Sequence, residues 1–237
     1  MKLLLLSDVE CPALWEYYRP ERLEGIDLII SCGDLKRTYL EFLVTMGRVP
    51  VFYVPGNHDG LFEKTPPEGC ECIDGRVVTY QGVRFLGLGG SINYNNGPFQ
   101  YTEQEMARRI RGLKRQLKKA GGVDIIVTHS PIAGCGDQND RAHKGFECFK
   151  TLIEAEKPAY FIHGHVHRSY GANIPRELTC GETAVINAFE RYTIEIPQPD
   201  AASVPERVPL LKRLALPKAL SGGLLLPRGE GLRREGG

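Results

Sequence analysis

The chain has six histidines, at 58, 129, 143, 163, 165 and 167, and four of them (58, 129, 165 and 167) fall just after short apolar runs. Other polar groups stand at the same kind of place. Asp8 follows the run 3–6, and Gly33-Asp34 follows 28–32. Gly56-Asn57-His58-Asp59 follows 51–54, His129 follows 125–127, and Gly164-His165-Val166-His167 follows 160–162. A lone histidine at a strand end is usually satisfied by backbone, and a lone Gly-Asp is usually a turn. Five runs delivering Asp, Asn or His in this way are a different matter. In open α/β sheets, ligands bind beyond the C-terminal ends of the strands. Carboxylates and an amide there offer hard oxygen donors, and imidazoles offer nitrogen. The inventory suits a pair of divalent ions such as Mn, Fe, Zn or Mg.

The elements that must position these groups are legible as well. Apolar runs at 3–6, 27–32, 51–54, 83–88, 123–127, 160–162, 185–186 and 192–196 are apolar on consecutive positions in several cases. Such runs mark strands covered on both faces. The runs 77–80 and 83–88 flank Gln81-Gly82 and read as an antiparallel hairpin. The clearest helix begins after Thr102, an N-cap that forms a capping box with Glu105. Tyr101 and Met106 are spaced for a hydrophobic staple. Met106, Ile110, Leu113 and Leu117 keep helical spacing until Gly121-Gly122. Further helices are expected at 12–19, 36–46 and 144–156. Strands alternating with helices argue α/β layering.

The order of the polar groups resembles the calcineurin-like metallophosphoesterase family. Asp8-x-Glu10, Gly33-Asp34, Gly56-Asn57-His58-Asp59, Thr128-His129 and Gly164-His165-Val166-His167 carry the resemblance, which spans about residues 1–196. It implies a single α/β domain built as a four-layer α/β/β/α sandwich. It also implies one metal held by Asp8, Asp34 and His167 and a second held by Asp34, Asn57, His129 and His165, with Asp34 bridging. His58 would face the leaving group as general acid, oriented by Asp59, and a metal-bridging hydroxide would attack phosphorus. The family's first motif is usually Asp-x-His. Here Glu10 takes that place, and as an oxygen ligand it would favour Mn or Mg over Zn. Manganese is therefore the first expectation, with Fe, Mg, Zn, Ni and Co as alternatives.

Three further groups surround this set. His163 reads as a strand residue. His143, in the polar loop 134–145, and Asn93, after the glycine-rich turn at 87–91, are candidates for contacting substrate. That turn lacks the Lys-Ser/Thr of a phosphate-binding P-loop.

Composition narrows the function classes. Thirty basic and twenty-nine acidic residues among 237 give a net charge of +1, so no global field draws the chain to nucleic acid or an anionic membrane. The one concentrated basic element is the helix after Thr102, with Arg108, Arg109, Arg111, Lys114, Arg115, Lys118 and Lys119. It reads as a solvated face, and nuclease action is the alternative it keeps open. The expected substrate is a small phosphodiester or phosphomonoester. A non-catalytic protein scaffold, such as the retromer subunit of this fold family, is a further alternative. Against it stand the retained His58 and the retained second-metal ligands. No apolar run approaches the ~18 residues of a membrane helix. The leading apolar stretch ends at Ser7-Asp8, too soon for a signal core, and is expected to be a buried first strand. Seven scattered cysteines without paired spacing suggest free thiols and a cytoplasmic setting. Residues 197–237 contain six Pro, six Gly and nine Leu but no aromatic residue, and carry a net charge of +3. A poorly ordered or loosely docked tail is expected there.

Overall fold

The structure, a computed structural model, describes residues 1–171 and 174–197. The expected tail at 197–237 thus lies outside the described residues, apart from Pro197. In chain order the main elements are β1 (Lys2–Ser7), β2 (Leu28–Ser31), α1 (Arg37–Gly47), β3 (Val51–Tyr53), β4 (Glu71–Cys72), β5 (Arg76–Tyr80) and β6 (Val83–Leu88). A short pair follows, β7 (Ser91–Ile92) and β8 (Gln100–Tyr101), then α2 (Glu103–Gly112), α3 (Lys114–Ala120) and β9 (Ile125–Thr128). The described chain closes with α4 (Cys148–Glu156), β10 (Tyr160–His163), β11 (Glu177–Cys180), β12 (Thr183–Asn187) and β13 (Glu190–Glu195).

These strands form two large sheets, ordered β13-β1-β2-β3-β4 and β11-β12-β10-β9-β6-β5. Within the first, β1 to β4 are parallel and β13 closes one edge antiparallel to β1. Within the second, β6, β9, β10 and β12 are parallel, and the hairpin partners β5 and β11 form the antiparallel edges.

Burial explains why the strands are apolar without alternation. Leu3, Leu5, Leu28, Ile30 and Phe52 of the first sheet meet Val83, Phe85, Ile125, Val127 and Ile162 of the second. The opposite face of the first sheet, with Leu4, Leu6, Ile29 and Val51, packs on Tyr39, Leu40 and Leu43 of α1. The opposite face of the second, with Leu86, Ile126, Phe161 and Val185, packs on Met106 of α2, Leu117 of α3 and Phe149 and Leu152 of α4. Each central strand is thus covered twice, and the α/β/β/α sandwich follows. Every parallel crossover carries the chain back to the same edge, so the ends of β1, β2, β3, β9 and β10 gather together.

The local readings differ from the structure in three places. Residues 12–19 do not form one helix. They hold only the short 3₁₀ turn Pro12–Leu14, and a second turn, Pro20–Leu23, follows. The Thr102 helix has its capping box, but it breaks after Gly112, a poor interior helix former, and resumes at Lys114. The helix expected at 144–156 starts only at Cys148, where Glu103 of α2 accepts hydrogen bonds from the Glu147 and Cys148 amides.

One basic residue of α2 is not part of a solvated face. Arg109 Nη2 donates to both oxygens of Asp74 at 2.6 and 2.7 Å, and Nη1 donates to the Gly89 carbonyl at 2.9 Å. Its guanidinium lies 4.3 Å from the centre of the Tyr101 ring. Asp74 in turn accepts from the Gly89 amide at 2.6 Å. The group ties α2 to the loop after β6. Arg109→Met keeps the stem but leaves a largely buried carboxylate without its partner. We expect a loss of about 2 kcal/mol, read in a thermal melt as a drop of roughly 4–8 °C.

Candidate metal centre

The polar ends of β1, β2, β3, β9 and β10 meet at one edge of the sandwich, and tight backbone packing brings them there. Gly56 sits against Asp34, and a side chain at 56 would collide with that carboxylate. Gly164 sits against Ser7 and Asp8 in the same way. Three polar residues at this edge adopt left-handed backbone conformations: Asp8 with φ 67°, Asp34 with φ 57° and His165 with φ 66°.

His129 is fully buried. Its Nδ1–H donates to the Cys32 carbonyl at 2.7 Å, which orients the ring and turns Nε2 toward the site. Nε2 lies 3.0 Å from Asn57 Oδ1 and 3.3 Å from Asp34 Oδ2. Asn57 is held in turn, because its Nδ2 donates to the Tyr94 hydroxyl at 3.1 Å. That bond keeps the amide oxygen facing His129. Next to them, His165 Nε2–H donates to the Ala142 carbonyl at 2.7 Å, so the lone pair of that ring is on Nδ1. One ligand atom each from Asp34, His129 and His165 falls within 4.8 Å of the others. Asp8 accepts from the His165 amide with both oxygens at 3.0 Å, and its Oδ1 lies 3.7 Å from His167 Nε2.

The electrostatics favour positive charge at this point. Burial opposes ionisation of both Asp34 and His129. Their mutual attraction overrides it, holding Asp34 below and His129 above the ordinary range. Burial and the neighbouring His129 push the His165 pKa down to about 3, so His165 stays neutral and able to bind a cation. Burial likewise takes His163 down to about 4. That residue lies in β10 with Nδ1 donating to the Gly164 carbonyl, as a strand residue would.

Several expected roles are not matched by geometry. Glu10 does not join the cluster. Oε1 accepts from the Lys36 amide at 3.1 Å, and Oε2 lies 3.5 Å from Lys36 Nζ, so the carboxylate is turned toward the start of α1. Asp59 does not orient His58. His58 is exposed and Asp59 buried, so the adjacent side chains point to opposite sides of the turn. Asp59 Oδ2 instead accepts from the Asp34 and Gly56 amides, both at 2.8 Å, and clamps two site loops together. Burial and the charge of Asp34 raise its pKa to about 7. Asn93 closes its own loop through Asn96 rather than facing the centre. Its neighbour Tyr94 makes the contact that sequence reasoning missed, and no motif signals it. His143 lies beside the centre. Its ring is 5.1 Å from that of His165, and Nδ1 lies 2.9 Å from both Asp140 oxygens.

His58 occupies the open side. Its amide donates to Asp34 Oδ1 at 2.8 Å, and its side chain borders a cleft of about 360 Å³. All seven cysteines are free thiols. Among the described residues, no helix is long and apolar enough to cross a membrane.

The family model for calcineurin-like phosphoesterases matches residues 1–169. An uncharacterized protein of Methanocaldococcus jannaschii is 27% identical over 157 residues, which is 60% of this chain and 70% of the archaeal one. A UPF0046 protein of Caenorhabditis elegans is 26% identical over 197 residues, 69% of this chain. The match spans only 62% of that nematode protein's length. The crystal structure of TT1561 of Thermus thermophilus superposes with a TM-score of 0.55 at 16% identity, covering 80% of this chain and 89% of that one. That likeness is one of fold.

Proposed function

Since the chain belongs to the calcineurin-like phosphoesterase family, we propose that its domain over residues 1–196 hydrolyses phosphoesters with two divalent metal ions, manganese first among them. The observation that carries this reading is the convergence of Asp34, His129 and His165 beside Asn57 and Asp8. The donor set fits such ions. It mixes carboxylate and amide oxygens with imidazole nitrogens, and backbone carbonyls fix the tautomers of His129 and His165 so that one nitrogen of each is left for a ligand. Asp8, Asp34 and His167 would hold one ion, and Asp34, Asn57, His129 and His165 the other. Glu10 is left out of this set because Lys36 engages it. Bound there, divalent ions supply Lewis acidity toward the phosphoryl oxygens and lower the pKa of water.

The chain's own residues do the rest. His58 donates a proton to the departing oxygen, because its imidazole stands on the open side of Asp34, beside the cleft. Asp59 fixes the turn that presents His58 by accepting from the Gly56 amide within that turn and from the Asp34 amide of the neighbouring loop. Tyr94 keeps Asn57 in the orientation that offers oxygen. Substrate is then a small phosphodiester or phosphomonoester, and the site lies in the cytoplasm.

The test is hydrolysis of bis-p-nitrophenyl phosphate and p-nitrophenyl phosphate by metal-stripped protein, with Mn, Mg, Fe(II), Zn, Ni and Co added back singly. We expect turnover to return with metal, highest with Mn. Failure to bind any of these ions would sink the reading. Stoichiometric binding without turnover of either ester would favour a non-catalytic scaffold on the same fold.

A further inference from the structure

The cleft beside His58 has two unlike walls. One is the short turn Gly60–Glu63, where Leu61 is 75% exposed and Phe62 is fixed edge-on to Tyr53 with ring centroids 5.8 Å apart. The other is the start of α1, with Lys36 and Arg37. Glu10 holds Lys36 Nζ, and Glu41 holds Arg37 Nε, each at 3.5 Å. These pairs position the two cations without using up their donors. The Lys36 side chain is 76% exposed and that of Arg37 40% exposed. The terminal nitrogens of Arg37 make no hydrogen bond among the described residues. About 360 Å³ between the walls is room for one substituted ring.

We propose that this cleft receives the departing alcohol of the substrate and selects an alcohol with an apolar body and an anionic substituent. The inference rests on phosphoester hydrolysis with His58 as general acid. A water oxygen bonds to phosphorus and gives up one proton to solvent, the bond from phosphorus to the alcohol oxygen breaks, and the proton on His58 passes to that oxygen and is replaced from solvent. The alcohol must therefore leave on the side of His58, which is the side of the cleft. An alcohol without charge leaves the exposed donors of Lys36 and the terminal nitrogens of Arg37 to water, with only Glu10 and Glu41 beside them. A small hydrophilic one leaves Leu61 and Phe62 in water. One that is both apolar and anionic satisfies both walls.

Two methyl phosphodiesters test this, one of 4-nitrophenol and one of the same phenol carrying a carboxylate beside the nitro group. Both release a coloured phenol. The full chain is used, with each divalent ion in turn, and the readout is the ratio of kcat/KM for the carboxylated over the plain ester. Intrinsic differences in leaving ability cancel when that ratio is compared between proteins. In the double variant Lys36→Met, Arg37→Met we expect the ratio to fall about 5- to 10-fold, mainly through KM. Leu61→Ser is expected to raise KM for both esters about threefold with the ratio kept. These positions are exposed, and circular dichroism checks that the variants fold. An unchanged ratio in the double variant overturns the cleft's selectivity while leaving hydrolysis standing. Absence of turnover of both esters by the unaltered chain, with every ion, overturns both readings.

Discussion

Replacing His58 by Ala is expected to lower turnover of an ester with an alkyl leaving group by about 10²- to 10⁴-fold, the usual worth of a positioned general acid. For a p-nitrophenyl ester the expected loss is much smaller. A nitrophenolate departs readily without a proton, whereas an alkoxide does not. The two losses measured side by side therefore separate proton donation from any general disturbance of the site. Metal content should not change, because the exposed His58 ring lies outside the ligand cluster, and its amide remains to donate to Asp34. Equal losses for the two esters would remove His58 from the role of acid. So would a fall in metal content that accounts for the loss.

Asp34→Asn should have the second large effect. The amide keeps the size of the side chain and keeps an oxygen that can accept the His58 amide, so the loop is expected to hold its shape. What disappears is the negative charge that faces His129 at 3.3 Å. Divalent ions bound at such a centre are worth several kcal/mol to the reaction, or roughly 10³-fold in rate. We expect a loss of hydrolysis on that scale. We also expect at least one ion to be lost on dialysis, counted by elemental analysis against protein concentration. Full metal occupancy with unchanged rate would exclude Asp34 as a shared ligand.

The layers of this fold could be read from the sequence because their cause is local in the chain. A strand covered on both faces must be apolar at consecutive positions, and 3–6, 28–32 and 125–127 show it directly. The gathering of Asp8, Asp34, Asn57, His129 and His165 was legible for a related reason. Parallel strands place their C-terminal ends together, so residues just past those ends become neighbours. What could not be read was direction. Nothing in Gly56-Asn57-His58-Asp59 says that Asp59 turns inward to the Asp34 and Gly56 amides while His58 turns out. Nor does the sequence say that Glu10 meets Lys36, 26 positions later, or that Tyr94 meets Asn57. Arg109 looked like one charge among several on a helix and is tied to Asp74 instead. Each of these depends on loop backbone geometry that only the assembled fold defines.

The left-handed backbone at Asp8, Asp34 and His165 has a consequence for the stability of such a chain. Each of these residues carries a side chain in a conformation that costs roughly 1–2 kcal/mol and that glycine adopts without the steric penalty. Heat tolerance and reactivity therefore pull in opposite directions at three positions of the same pocket. Glycine at any of them would shed that backbone cost but also give up the side-chain bonds made there, from Asp34 to the His58 amide, from Asp8 to the His165 amide and from His165 to the Ala142 carbonyl. The backbone cost at these three positions is thus borne by the same side chains that the proposed chemistry needs.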